Sequence, residues 1–179
     1  MSDAPARSLP DRGCFAAVDV YYPADGGARA AAVVASDPRF TVIDDERIAA
    51  LTDVAPYEPG RFYLRELPAI HAVVDSLDGL DLIVVDGYVD LDPQGRSGLG
   101  AHVHEEFGVP VIGVAKTAFH TATHARPVLR GQATRPLYVT AAGLGLDQAA
   151  DLVCTMTGPH RMPDALRRVD ALSRRLRTT

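Results

Sequence analysis

The sequence predicts a mixed α/β fold: one sheet that begins as an antiparallel meander, continues with parallel strands, and carries helices on both faces. Three observations lead there. The first third of the chain holds three β-rich segments joined by short turns marked with Gly and Pro. Two short, unbroken apolar runs follow, residues 82–85 and 109–115, of the kind found in strands covered on both sides. Around them, apolar residues recur with the 3.6-residue period of amphipathic helices.

Taken in order, the first strand is expected over residues 14–22, a turn at Ala24-Asp25-Gly26-Gly27, a second strand over 29–35 and a third near 40–43. A helix should start after Pro59-Gly60 and bury Leu64, Leu67, Ile70, Val73, Val74 and Leu77. The strand at 82–85 comes next, then a helix over 99–107 and the strand at 109–115. A strand at Leu137-Tyr138-Val139, a helix over 146–154 and a last helix over 163–175 complete the chain. A meander followed by parallel strand-helix units is the ribonuclease H-like order.

The chain has 179 residues, 47% of them hydrophobic, enough for one ordinary core and too few for two. Residues 14–179 are therefore read as a single domain behind a flexible segment, residues 1–13. Cys14 and Cys154 lie far apart with no CxxC pair, so neither a disulfide framework nor a zinc site is expected. The opening residues lack the apolar stretch of a signal peptide, and no run approaches membrane-spanning length. A cytoplasmic protein without membrane contact is the expectation. A net charge of −5 argues against gripping nucleic acid by bulk electrostatics. Distribution differs from the sum, because six arginines and two aspartates stand between Arg161 and the C-terminus. That surface suits either solvent or a phosphate backbone.

The chemistry lies in polar residues that interrupt apolar strands. Asp19 sits between Val18 and Val20, where a carboxylate must be paired or must hold a cation. Asp86 closes the run at 82–85 and precedes Gly87, where a strand stops and a ligand can approach the backbone. Either one alone could equally cap a turn or a helix. Glu66 stands early in the expected helix, where it serves the N-terminal dipole or points at the same space. Lys116 ends the strand at 109–115 and is the sole lysine of the chain. At a strand end beside Asp86 it can meet a phosphate as a point charge, the alternative being an ordinary surface lysine. Together these groups would form a site for Mg²⁺-assisted phosphoryl transfer to water.

These segments resemble a known family, endonuclease V. Ala17-Val18-Asp19-Val20-Tyr21 is similar to its first-strand motif, and Pro56-Tyr57-Glu58-Pro59-Gly60 followed by Arg65-Glu66 to its wedge-then-helix motif. The stretch from Leu82 to Gly87 resembles its second aspartate strand, and that from Val109 to Lys116 its lysine motif. The resemblance implies a ribonuclease H-like fold and Mg²⁺-dependent hydrolysis, with Mn²⁺ as a substitute, of DNA near deoxyinosine, at the second phosphodiester on its 3′ side. It implies Asp19, Glu66 and Asp86 as metal ligands, Lys116 on the scissile phosphate and Tyr57 as a wedge between the strands. Pro59 and Gly60 would carry that wedge, and Gly87 would border the pocket for an everted base. Arg161-Met162-Pro163 resembles the family's Arg-Leu-Pro, which makes Arg161 a nucleic-acid contact and sets Asp170 near a second metal.

The loops depart from the family pattern. Gly87-Tyr88-Val89 and Asp92-Pro93-Gln94 stand where the family has a flexible glycine, a His and an Arg, and an extra residue precedes Gly98. Glu58 puts an acid in the wedge, and Thr140-Ala141-Ala142-Gly143-Leu144 replaces Ser-Pro-Gly-His-Arg. Read this way, the metal centre is kept and the nucleic-acid grip is thinned. Two alternatives stay open: a related hydrolase acting on RNA, single strands or a smaller phosphodiester, and a binding module that retains the fold.

Overall fold

The computed structural model describes residues 8–175. Its sheet has seven strands in the order β3-β2-β1-β4-β5-β7-β6. The meander is β1 (Cys14–Tyr21), β2 (Ala28–Ala35) and β3 (Asp45–Leu51), paired antiparallel. Then β4 (Leu80–Asp86) lies parallel to β1, and β5 (Val111–Ala115) parallel to β4. The far edge is antiparallel, with β7 (Leu137–Ala142) on β5 and the short β6 (Arg126–Val128) on β7. The helices are α1 (Tyr63–Val74), α2 (Leu99–Phe107), α3 (Leu146–Thr155) and α4 (Asp164–Ser173). This is the expected mixed sheet.

Strand alternation divides the core into two layers. Ala16 and Val18 of β1 with Ile83 and Val85 of β4 pack under α1 and α2, against Ile70, Val73 and Val103. Phe15 and Ala17 with Leu82, Val84, Ile112 and Val114 pack under α3 and α4, against Val153, Leu166, Val169 and Leu172. Helices thus cover both faces. Each large side chain so buried contributes about 1.5–3 kcal/mol of hydrophobic stabilisation. Ahead of β1, Leu9 packs against the core and Gly13 donates to the Ser36 carbonyl. Residues 1–7 of the expected flexible segment lie outside the described residues. Among the described residues no helix is long and apolar enough to cross a membrane.

Three local expectations are corrected. The third strand is not at residues 40–43 but at Asp45–Leu51. Asp37 accepts from the Arg39 and Thr41 backbone N–H groups and from the Thr41 hydroxyl, which folds the chain into a turn. Phe40 takes a left-handed conformation at φ 55° there and buries its ring in the core. Leu64, expected inside, is exposed because it stands about 120° round α1 from Ile70, off the buried stripe of Ala69, Ile70, Val73 and Val74. Finally β6, which the sequence reading omitted, pairs three residues onto β7.

Candidate active site

Strand alternation sets the site. Since Phe15 and Ala17 face α3 and α4, Asp19 two residues later faces the same way. By the same step Asp86 follows Leu82 and Val84, and Lys116 follows Ile112 and Val114. Pairing of Val18 with Val85, and of Asp86 with Val114, then brings all three to neighbouring strand ends. Lys116 Nζ donates to Asp86 Oδ2 at 2.8 Å. Burial works against its charge, but the bond to Asp86 and the negative charges of Asp86, Asp170 and Asp19 outweigh it and raise its pKa.

Two helices close over these ends. From α4, the buried Ser173 hydroxyl donates to Asp19 Oδ2 at 2.6 Å and also lies 2.9 Å from the Asp170 carbonyl. Asp170 accepts from Arg174 Nε at 3.0 Å. From α1, on the opposite face, Glu66 lines a cleft of about 20 Å³ together with Asp19, Asp86 and Leu99. That volume holds one water-sized occupant. Burial, and after it the charge of Asp19, push the Glu66 carboxyl from an ordinary 4.5 up to about 7, against the pull of Arg65. Burial likewise raises Asp19, opposed by the Ser173 bond and reinforced by Asp170 and Asp86.

The expected ligands Asp19, Glu66, Asp86 and Asp170 are neighbours but not a closed cage. Among the described residues no three His, Cys, Asp or Glu side chains are gathered into a ready metal site. The reason is local pairing: Asp86 is turned onto Lys116, Asp19 onto Ser173 and Asp170 onto Arg174. The donor set nevertheless suits a hard divalent cation, being all oxygen. Burial first, and the neighbouring carboxylates after it, raise Glu66 and Asp19, and such an ion would relieve the repulsive part.

The remaining expected residues are placed as follows. Tyr57 is exposed in the loop before α1, edge-on to Phe62 with ring centroids 4.8 Å apart. Pro59 and Gly60 form the exposed turn beside it, where Glu58 pairs with Arg61 at 3.5 Å instead of standing free. Gly87 follows β4 with φ 143°, a conformation that L side chains avoid, and open space lies where a Cβ would be. The Arg161 guanidinium donates to the carbonyls of Arg135, Pro136 and Lys116, tying its loop to the end of β5.

The loop departures also read differently in three dimensions. The Val89 side chain is fully buried, and its N–H donates to Thr140 Oγ1 at 2.8 Å. Asp92 caps its own turn, accepting from the Gln94 and Arg96 N–H groups. The segment from Thr140 to Leu144 leaves the sheet where Ala142 pairs with Val111, at the opposite end of β5 from Lys116. Sequence reasoning missed Ser173, whose single signal is its place one turn after Asp170, and Arg96. Arg96 is exposed between Thr121 and the Phe119 ring, two residues past the Gln94 position where an arginine was missed. The larger clefts lie elsewhere: one of about 820 Å³ is lined by Arg12, Asp37 and Asp151, at the other end of β1 from Asp19.

A mixed seven-stranded sheet with carboxylates at the ends of its central parallel strands defines a hydrolase of the ribonuclease H-like class. The sequence matches the Endonuclease V family over residues 5–142, and the chain belongs to that family of metal-dependent nucleases. It is 32% identical to the endonuclease V of Streptomyces coelicolor, over 92% of this chain and 79% of that one. The endonuclease V of Azotobacter vinelandii is also 32% identical, with 93% and 85% covered. Among solved structures, Streptomyces avermitilis endonuclease V superposes with a TM-score of 0.80 at 31% identity, covering 97% of this chain and 85% of that one. Ciona intestinalis endonuclease V, crystallised with a 24mer DNA containing an inosine followed by a ribo-adenosine, shares the fold. Its TM-score is 0.74 at 20% identity, over 93% of this chain and 86% of that one.

Proposed function

We propose that this protein is a Mg²⁺-dependent endonuclease that hydrolyses a DNA strand near deoxyinosine, at the second phosphodiester on its 3′ side. The observation that carries the reading is the convergence of Asp19, Asp86 and Lys116 on one face of adjacent strand ends, with Glu66 arriving from α1. The inosine-containing DNA bound by the Ciona protein supports the substrate. Asp19, Glu66 and Asp86 would hold Mg²⁺, or Mn²⁺ in its place, with Asp170 beside them. When bound, such an ion supplies Lewis acidity toward a phosphoryl oxygen and makes water a better nucleophile at neutral pH.

The protein's own groups do the rest. Lys116, held charged by Asp86, offsets negative charge on the phosphate as attack proceeds. Arg161 holds the backbone of Lys116 in place, at the margin of the site where the strand would pass. Tyr57, on its exposed turn with Pro59 and Gly60, fills the gap left by an everted base by stacking, and the open space at Gly87 admits that base. The free thiols Cys14 and Cys154 suit a reducing cytoplasm.

The test is cleavage of inosine-containing DNA and RNA, single- and double-stranded, with Mg²⁺ or Mn²⁺. A nick one nucleotide beyond the inosine in DNA is the expected product. Cleavage of inosine RNA alone would reassign the substrate, and binding without cleavage under either metal would make the protein a binding module.

A further inference from the structure

Beside the carboxylates stands a second group of positive charges, which the site touches only through the Arg174–Asp170 pair. Tyr21 lies two residues beyond Asp19 on β1 and so faces the same side of the sheet. The Arg29 guanidinium carbon lies over its ring, 5.3 Å from the centroid, and that of Arg174 lies over the same ring at 4.8 Å. Arg29 is the cross-strand partner of Tyr21 on β2, whereas Arg174 follows the last turn of α4. Both distances fall within cation–π range.

Each arginine is also anchored at one point. Arg29 Nη1 donates to the Arg175 carbonyl at 2.7 Å, and Arg174 Nε to Asp170 Oδ1 at 3.0 Å. A guanidinium has five N–H donors in a fixed fork, so each keeps donors to spare for an oxygen ligand. Two positive groups gathered at one ring raise the local potential, which attracts anionic oxygens.

We propose that Arg29 and Arg174, held over Tyr21, bind backbone phosphates of the nucleic-acid strand on the β2 side of the carboxylate site. The proposal rests on the nuclease reading above. Its placement favours a polymer over a lone anion. Lys116 and Arg96 lie on the β4–β5 side of the carboxylates, and Arg29 and Arg174 on the β1–β2 side. A strand crossing the site therefore meets positive charge on both flanks. In a chain of net charge −5, this local arrangement supplies what bulk electrostatics cannot.

Binding of a labelled inosine-containing single strand to the full chain, in chelator, at salt concentrations from about 50 to 200 mM, tests the surface. The slope of log affinity against log salt should fall by about 0.7–1 in Arg29→Gln and again in Arg174→Gln. Arg29→Lys should keep the wild-type slope, because the charge remains. Arg167→Gln, whose arginine pairs with Asp164 away from Tyr21, should keep it too. A loss in Arg29→Gln that Arg29→Lys fails to restore would mark a packing role and overturn the proposal. So would unchanged slopes in Arg29→Gln and Arg174→Gln while the wild type cuts the inosine strand. A wild type that neither binds nor cuts that strand overturns the nuclease reading, and this surface with it.

Discussion

Ser173 donates to Asp19 Oδ2 at 2.6 Å, joining the last turn of α4 to β1 across 154 residues of sequence. The hydroxyl has one hydrogen and two acceptors, Asp19 Oδ2 and the Asp170 carbonyl at 2.9 Å. Bonding one carboxylate oxygen fixes which oxygen of Asp19 faces the cleft. Ser173→Ala should therefore do two things. It should cost about 1–3 kcal/mol of stability, since it strands a mostly buried carboxylate without its donor. It should also weaken Mn²⁺ binding by about 10–100-fold, the usual effect of losing a group that orients a metal ligand. Titration calorimetry reads the second effect directly, and unchanged Mn²⁺ affinity in a destabilised variant would reduce Ser173 to packing.

Glu66 makes stability depend on pH without metal. Its carboxyl titrates near 4.5 when unfolded and at about 7 when folded, so between those values the folded state holds a proton that the unfolded state has lost. Stability therefore falls as pH rises across that window, with a total on the order of a few kcal/mol. Asp19 and His71, whose pKa values are also raised, act in the same direction. Melting temperatures in chelator should drop from pH 5 to pH 8, and Glu66→Gln should flatten the curve. A variant with the wild-type slope would show that Glu66 is neither buried nor crowded by Asp19 as described.

Lys116 is half exposed and contacts Asp86 by its ammonium, so its removal should spare the fold and strike turnover. Lys116→Ala is expected to lower kcat by about 10²–10³, the scale of a lost electrostatic stabiliser, with a melting temperature close to wild type. Lys116→Arg should not recover full activity, because a planar fork does not replace a compact ammonium. A large fall in melting temperature for Lys116→Ala would make the residue structural.

What could be read from sequence follows from the range of each signal. Asp19, Asp86 and Lys116 were legible because each is a charged group that interrupts or ends an apolar strand, inside a segment that resembles a family motif. Residues 40–43 misled because Phe40 and Ile43 are apolar without being a strand, and the decisive group, the Asp37 carboxylate, works through a turn. Ser173 could not be read at all, nor could the backbone contacts of Arg161, a residue the motif had singled out. Each owes its role to a partner far along the chain, Asp19 for one and the Lys116 carbonyl for the other, and no local pattern announces such a contact.

Val89 is the residue for which sequence and structure give opposite forecasts. In sequence it stands where a glycine would let the loop approach a base, so Val89→Gly should improve recognition of inosine. In the fold its side chain is fully buried, and a Cβ added at Gly100 would meet its Cγ2 at 2.7 Å. The isopropyl group thus fills the space that Gly100 leaves at the start of α2. Val89→Gly should open a cavity and free the backbone, together costing about 2–4 kcal/mol. Affinity for an inosine duplex, measured below the variant's melting temperature, should not rise, because no atom lining the carboxylate cleft is removed. Tighter inosine binding at unchanged melting temperature would show that the loop, not the core, sets the role of this residue.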